Sequence, residues 1–378
     1  MKKTSVYIHI PFCRQKCHYC DFLSFAGAQA RAEEYTSALL NEMEAKSDFM
    51  KEKEIETVYF GGGTPSSIDE KFIEKILTKL RKAQSVSKNA EITIELNPGT
   101  ITEDKIALYM EVGINRFSIG LQSSVDSELE KIGRIHNYED FLDGFNLLRK
   151  MGAKNISVDL MTGLPGQSLE SFNEGLEKVF KLDPEHLSCY GLILEEGTLL
   201  WKRHINKEFE IDDELERDMY KLLVSKSRER GYEHYEISNF AKPGFRSAHN
   251  TVYWNLDEYI GLGLGAHSFA DNLRFSNTAD FEEYVNSSNN NKDVTINKIL
   301  VDRKSLMEEF MFLGLRKIEG ISFQDFKTKF GNDIHDFYGK AIEKLLKQKL
   351  LLESGEGIKL SVKGLDFANI VFREFIGE

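Results

Sequence analysis

Cysteine is scarce in this chain, four residues among 378. Small secreted domains held by disulfides carry far more, so a disulfide scaffold is excluded. No apolar run reaches the roughly 18–20 residues that a membrane-spanning helix needs. No secretory signal is expected either: Met1, Lys2 and Lys3 lead into an alternating stretch and not into an apolar core. Positive charge is short. The formal net charge is −12, which argues against a general nucleic-acid binder with a basic face. No short-period repeat recurs. The one low-complexity patch, residues 286–292, reads as a solvated loop between domains. What remains is a chain expected in the cytoplasm, where thiols stay reduced, and long enough for two or three domains around a large core.

The little cysteine there is lies concentrated. Cys13, Cys17 and Cys20 share one run with the spacing C-x3-C-x2-C, and Cys189 stands far away. Three thiolates on one short loop can hold three irons of a cubane cluster and leave the fourth iron open, whereas four would close it into an electron carrier. Structural zinc is the competing reading, and it wants a fourth ligand. His9 or His18 would supply one. Cys189 reads as a buried core or pocket thiol.

The first half of the chain alternates strand-like and helix-like segments. Strands are expected at 5–10, 56–60, 91–96, 116–121, 155–160 and 186–192, several of them nearly continuous apolar runs suited to parallel strands buried on both faces. Helical patterns lie between them at 30–46, 70–83, 103–112, 138–151 and 169–181, with Asp69 and the pair Ser168/Ser171 as N-caps. Six βα units predict an α/β fold, a complete or partial parallel barrel. Each strand runs at once into polar or Gly/Pro chemistry: the cysteine loop, Gly61 to Pro65, Glu95 to Gly99, Gln122 to Ser124, Asp159 with Gly163 to Gln167, and Tyr190. Active sites of βα barrels are built at the carboxyl ends of the strands, so all six loops should open on one face. Turn chemistry explains any one of these loops but poorly explains the set.

An open iron takes a small chelating ligand, and an amine with a carboxylate fits its two-point bite. Gly61, Gly62 and Gly63 allow backbone to approach such a ligand, and their amides with the Thr64 hydroxyl are candidates to hold its polar groups. Glu95 closes an apolar strand, where a carboxylate is costly unless paired. Gln122, Arg134 and Asp159 form a second candidate polar set. Arg134 reads equally as a surface helix arginine.

The run from Tyr7 to Cys13, the cysteine spacing, Gly61 to Pro65 and Gly120 to Gln122 together resemble the radical S-adenosylmethionine superfamily, most of all its coproporphyrinogen dehydrogenase/HemW group. The resemblance runs along almost the whole chain. It implies a partial (β/α)6 TIM-like barrel with a small C-terminal winged-helix-like domain. It implies a [4Fe-4S] cluster on Cys13, Cys17 and Cys20, with S-adenosylmethionine chelating the fourth iron. Tyr7, Tyr19, Gly62, Gly63, Thr64 and Glu95 match the neighbouring contacts, and Gln122, Arg134 and Asp159 match positions that hold a second S-adenosylmethionine in the dehydrogenase HemN. The chemistry implied is one-electron reductive cleavage of the sulfonium, with the protein supplying position and dryness.

Two features depart from the dehydrogenase. It has a further cysteine two residues after the third, where this chain has Phe22, and an extension before its cluster, where this chain has only twelve residues before Cys13. A third feature, within Ala248 to Trp254, is the run His249 to Trp254, which spells H-N-x-x-Y-W and resembles the signature of HemW-type heme chaperones. There His249 would ligate iron through a neutral imidazole, Asn250 and Tyr253 would accompany it, and Trp254 would offer a flat face to a macrocycle. Arg246 would meet a propionate or lie on the surface. Taken alone, His249 reads as a hydrogen-bonded core or loop histidine. The glycine-dense run 261–267 reads as a place for backbone to approach a cofactor, or as a tight connector.

Beyond about residue 295 the pattern becomes helical, at 303–315, 322–330, 334–347 and 362–375, with a hairpin at 350–361. The order resembles a winged helix, but no basic stripe accompanies it, so packing or partner docking is expected there. The expected organisation is a barrel over 1–235, a connector with the H-N-x-x-Y-W motif over 236–294, and the C-terminal domain over 295–378. The function expected from the resemblance is heme chaperoning, with heme, cluster and S-adenosylmethionine as cofactors and recipient hemoproteins, membrane-bound respiratory ones among them, as partners. Any membrane contact would be peripheral, and a homodimer stays open. The alternative is oxidative decarboxylation of coproporphyrinogen III, with a radical enzyme of another substrate behind it.

Overall fold

In the computed structural model, which describes residues 1–377, the alternation becomes a curved, mostly parallel sheet. Its strands β1 (Lys2–Ile10), β2 (Lys53–Gly62), β3 (Ser85–Leu96), β4 (Arg116–Gln122), β5 (Ile156–Thr162) and β6 (His186–Gly191) lie side by side in chain order. Every adjacent pair is parallel. The crossovers carry α1 (Ala32–Ala45), α2 (Glu70–Ala83), α3 (Glu103–Glu111), α4 (Tyr138–Lys150) and α5 (Leu169–Leu182). The expected caps are present: Asp69 accepts from the Lys71 amide, and Ser168 and Ser171 form a reciprocal capping box.

One expectation needs correcting. The strands are buried on both faces, but only one face is apolar. Val6, Ile8, Ile10, Val58, Phe60, Ile92 and Ile94 belong to the core. The alternate positions Ser5, Thr57, Thr93, Ser118, Ser157 and Ser188 are buried and polar. A strand's period of two separates the sets: the apolar set packs under the helices, and the polar set lines the barrel lumen.

The sheet continues on both sides. Beyond β6 lies an antiparallel hairpin of β7 (Glu233–Glu236) and β8 (Asn239–Ala241). On the other side β9 (Tyr259–Leu262) pairs in parallel with β1, followed by antiparallel β10 (His267–Ala270), β11 (Leu273–Asn277) and β12 (Thr295–Leu300), which makes twelve strands. The glycine-dense run therefore serves packing. Gly263 has φ +99°, and a Cβ there would strike the Tyr35 hydroxyl and the His9 carbonyl oxygen. Glu42 of α1 locks this extension. Its buried carboxylate accepts from Lys46 Nζ (2.7 Å), the Gly263 amide (2.8 Å), Asn277 Nδ2 (2.6 Å) and the Tyr284 hydroxyl (2.6 Å).

The low-complexity patch is not simply a loop. The helix Phe281–Asn289 runs into it with Ser288 buried, and the chain then enters β12 of the same sheet. The C-terminal part has helices Arg303–Gly314, Phe323–Phe330 and His335–Lys347 around a small antiparallel sheet that contains the hairpin Leu351–Glu353/Gly357–Leu360. Its last expected helix is two short ones, Val362–Asp366 and Ala368–Arg373, parted at Phe367. This part shares a core with Leu256 and Phe269 of the barrel side. Among the described residues no helix is long and apolar enough to cross a membrane.

Candidate functional site

The carboxyl ends of β1–β6 open on one cavity of about 360 Å³. Cys13, Cys17, Tyr19 and Cys20 line it from the loop after β1, Gly62, Gly63 and Thr64 from the end of β2, and Glu95 from β3. Gln122, Arg134 and Asp159 complete the opposite wall. Tyr7 of β1 does not line the cavity; it is stacked on Tyr59 of β2 (6.2 Å, 24°), with its hydroxyl 3.1 Å from His9 Nδ1. A larger cleft, about 1180 Å³, lies at the other end of β1 and β2 and contains none of the cavity's residues.

The triple-glycine turn is what seats the cysteine loop. The Gly63 amide donates to the Ile10 carbonyl (2.9 Å) and the Thr64 amide to that of Phe12 (2.7 Å). A Cβ on Gly63 would stand 2.7–2.9 Å from backbone atoms of Phe12 and Ile10. Gly62, at φ +109°, makes room for the His9 ring. The amides of Gly63 and Thr64 are thus engaged inside the protein. They offer a ligand only side-chain-free faces and the Thr64 hydroxyl, itself 3.6 Å from Cys13 Sγ.

The fit to a cluster can be read from the donor set. All three loop cysteines are free, half-buried and on one cavity wall, while Cys189 is buried elsewhere. No three His, Cys, Asp or Glu among the described residues converge on a single-ion centre. Of the histidines offered for zinc, His9 has both ring nitrogens engaged, by the Tyr7 hydroxyl (3.1 Å) and the Leu23 carbonyl oxygen (2.8 Å), while His18 has its Nδ1 3.1 Å from the Lys131 carbonyl oxygen. Burial raises the Cys13 thiol and pushes Cys20 up to about 11. Cations are what would draw protons off such thiols. Arg134 Nη1 points at Cys17 Sγ (3.5 Å) and its Nη2 donates to the Gly120 carbonyl (2.6 Å), so this arginine belongs to the cavity and not to the outer surface.

Several polar groups in the cavity lack a partner within the protein. Gln122, a non-glycine residue at φ +64°, leaves its buried Oε1 unpartnered, as do Asn97 Oδ1 and Arg134 Nε. Buried polar groups are normally satisfied, so these mark a place prepared for a polar ligand. Asp159 accepts from Ser118 Oγ (3.1 Å to each oxygen), and burial raises it above the usual carboxylate range. Glu95 accepts from the Tyr59 hydroxyl (2.7 Å). Burial pushes it up to about 7, against the pull of that hydrogen bond. Tyr59 and Arg116, both on the cavity, were not among the expected site residues. Their signal was present in the strands, as polar residues two apart at Thr57/Tyr59 and Arg116/Ser118.

The H-N-x-x-Y-W residues do not share one surface. They lie on the helix Ala248–Trp254, which Ser247 caps and whose first amides, those of Ala248 and His249, donate to the Glu91 carboxylate at 3.0 Å each. His249 is 1% exposed and points into the lumen, with Nδ1 2.7 Å from Thr57 Oγ1 and Nε2 2.9 Å from the Tyr253 hydroxyl. Burial and the Arg116 charge lower it to about 3, so it is neutral. Asn250 lines the cavity. Trp254 lies under the Arg316 guanidinium, 4.4 Å away, and its Nε1 is buried without a partner. Arg246 is on the surface, paired with Glu233 and Glu319.

Comparison with known proteins follows the same lines. Residues 7–179 match the radical SAM superfamily and residues 301–367 the HemN C-terminal domain. A protein named heme chaperone HemW from Lactococcus lactis is 36% identical over 376 residues, 99% of this chain and 98% of that one. Another of that name from Bacillus subtilis is 35% identical over 376 residues, 99% of each. Among solved structures, the coproporphyrinogen III oxidase HemN of Escherichia coli, a radical SAM enzyme, superposes with a TM-score of 0.87 over 99% of this chain and 90% of its own, at 21% identity. At that identity the likeness bears on the fold alone.

Proposed function

The chain belongs to the radical SAM superfamily and is a HemW-like member of it, and from that premise we propose that it is a heme chaperone, which binds heme beside a [4Fe-4S] cluster and S-adenosylmethionine and passes the heme to hemoproteins. In this reading Cys13, Cys17 and Cys20 hold the cluster. Tyr19, Gly62, Gly63, Thr64 and Glu95 surround S-adenosylmethionine, with Tyr7 supporting them through Tyr59. Gln122, Arg134 and Asp159 take a second one. The bound cofactors supply one-electron reduction of a sulfonium. The chain keeps three thiols on one wall and presents polar groups that have no partner of their own.

The observation that carries the chaperone reading over the dehydrogenase is the full-length similarity to proteins named heme chaperone, 36% identical. Phe22 supports it. Its ring is 65% exposed on the cavity wall, where the dehydrogenase resemblance would call for a further cysteine. An exposed aromatic ring beside a polar cavity suits a flat apolar ligand. His249, Asn250, Tyr253 and Trp254 are the heme residues of this reading, and His249 must leave its two hydrogen bonds to reach iron. The recipients are hemoproteins, membrane-bound respiratory ones among them, met from the cytoplasm through a peripheral contact.

The test sets heme titration beside incubation with coproporphyrinogen III, reductant and S-adenosylmethionine on one anaerobic preparation. A shift of the heme absorption band with no protoporphyrinogen formed is the expected result. Decarboxylated product would overturn the chaperone reading in favour of the dehydrogenase.

A further inference from the structure

The lumen beneath the cavity is filled by a column of rings. The His249 imidazole lies against the Tyr59 ring (5.0 Å between centroids, 26° between planes). Tyr7 stacks on Tyr59 as well. The Tyr59 hydroxyl donates to Glu95 Oε1 at 2.7 Å. His249 is fixed in turn by Thr57, Tyr253 and the Glu91 carboxylate under its backbone amide. One residue of the helix Ala248–Trp254 thus stands under the ring that aims a cavity carboxylate, and its neighbour Asn250 reaches the cavity itself.

We infer that His249 is a positioning residue of the S-adenosylmethionine pocket: it braces Tyr59, and Tyr59 aims Glu95. The inference rests on the reading of Glu95 as a contact of S-adenosylmethionine. With both ring nitrogens engaged, the imidazole is held against Tyr59, and a Tyr59 ring without that brace holds its hydroxyl on Glu95 less firmly.

The groups facing Glu95 give a specific signature. Tyr59 and the Gly62 amide donate to it, the Arg116 charge lowers it, and burial and Asp159 raise it. Tyr7 and Tyr253 stand near enough to sense its charge. Removing the Tyr59 donor leaves burial less opposed, so the carboxyl holds its proton to higher pH. Any pH dependence of S-adenosylmethionine binding that follows Glu95 then moves up.

The experiment is equilibrium dialysis of S-adenosylmethionine against cluster-reconstituted full-length protein from pH 6 to 8.5, with the absorbance at about 400 nm as the check on the cluster. Tyr59→Phe and His249→Ala are each expected to weaken binding about tenfold, the scale of a hydrogen bond to a charged group, and to raise the pH midpoint in the same sense. Thr57→Val, which keeps the imidazole and removes a partner, gives a smaller effect in the same direction and serves where His249→Ala fails to fold. Parental affinity and midpoint in His249→Ala or Thr57→Val, with Glu95→Gln weakened, would overturn the brace alone. Parental affinity in Glu95→Gln would overturn both the brace and the reading of Glu95.

Discussion

Replacing Gly63 by alanine puts the seating of the cysteine loop to a quantitative test. The new Cβ would stand 2.7 Å from the Phe12 carbonyl oxygen, 2.8 Å from the Phe12 nitrogen and 2.9 Å from the Ile10 carbonyl oxygen. All three are backbone atoms, so no side chain can rotate away. The strand end and the loop must part by a few tenths of an ångström or more. Overpacking of this kind costs about 1–3 kcal/mol. The Gly63 and Thr64 amide bonds to Ile10 and Phe12 lengthen together, which adds about 1 kcal/mol if one of them is lost. The expected destabilisation is therefore about 2–4 kcal/mol, measured by urea unfolding of the metal-free protein. The same displacement carries Cys13 away from the other thiols, so iron content after anaerobic reconstitution should fall. Gly99→Ala is the control, because nothing lies within 4 Å of a Cβ built there and its φ is not positive. If Gly63→Ala matches Gly99→Ala in both unfolding midpoint and iron content, the steric account of the glycine turn is wrong.

Cys17→Ser should abolish the broad absorbance at about 400 nm of the reconstituted protein, and a band of parental intensity would mean that the loop thiols are not its ligands. Glu95 titrates at about 7 in the folded chain against 4.5 ordinarily, so it favours the folded state while protonated and costs stability as pH rises from 4.5 through 7. Glu95→Gln removes that cost: variant-minus-parent stability in urea should rise by roughly 1–3 kcal/mol between pH 5 and pH 8, and an equal difference at both would contradict the shift. Glu42→Ala leaves the Tyr284 hydroxyl and the Gly263 amide without their acceptor and takes one of two acceptors from Lys46 and Asn277. It should cost about 3–5 kcal/mol, and a loss below about 1 kcal/mol would show that α1 is held to the sheet extension by other means.

The strands and helices of the half-barrel were legible because each repeats a local rule. Short runs rich in apolar residues mark β1 to β6, and caps at Asp69 and Ser168 mark where α2 and α5 begin. The cysteine spacing was legible for the same reason, since one short loop carries all three thiols. That Cys13, Glu95, Gln122 and Asp159 would face one cavity also followed, because parallel strands present their carboxyl ends on one side.

What the sequence by itself determined is thus whatever a single element or a repeated βα unit enforces. The partners of residues far apart along the chain were decided only by the tertiary structure. Tyr259–Leu262 became a parallel strand because β1 has a free edge there, and glycines let it come close. The H-N-x-x-Y-W run looks like one surface in sequence, yet helical geometry turns its residues in different directions. His249 enters the lumen to meet Thr57, 192 positions away, Asn250 meets the cavity and Trp254 meets Arg316. No local pattern encodes such contacts, because they exist only once the strands and that helix have packed together.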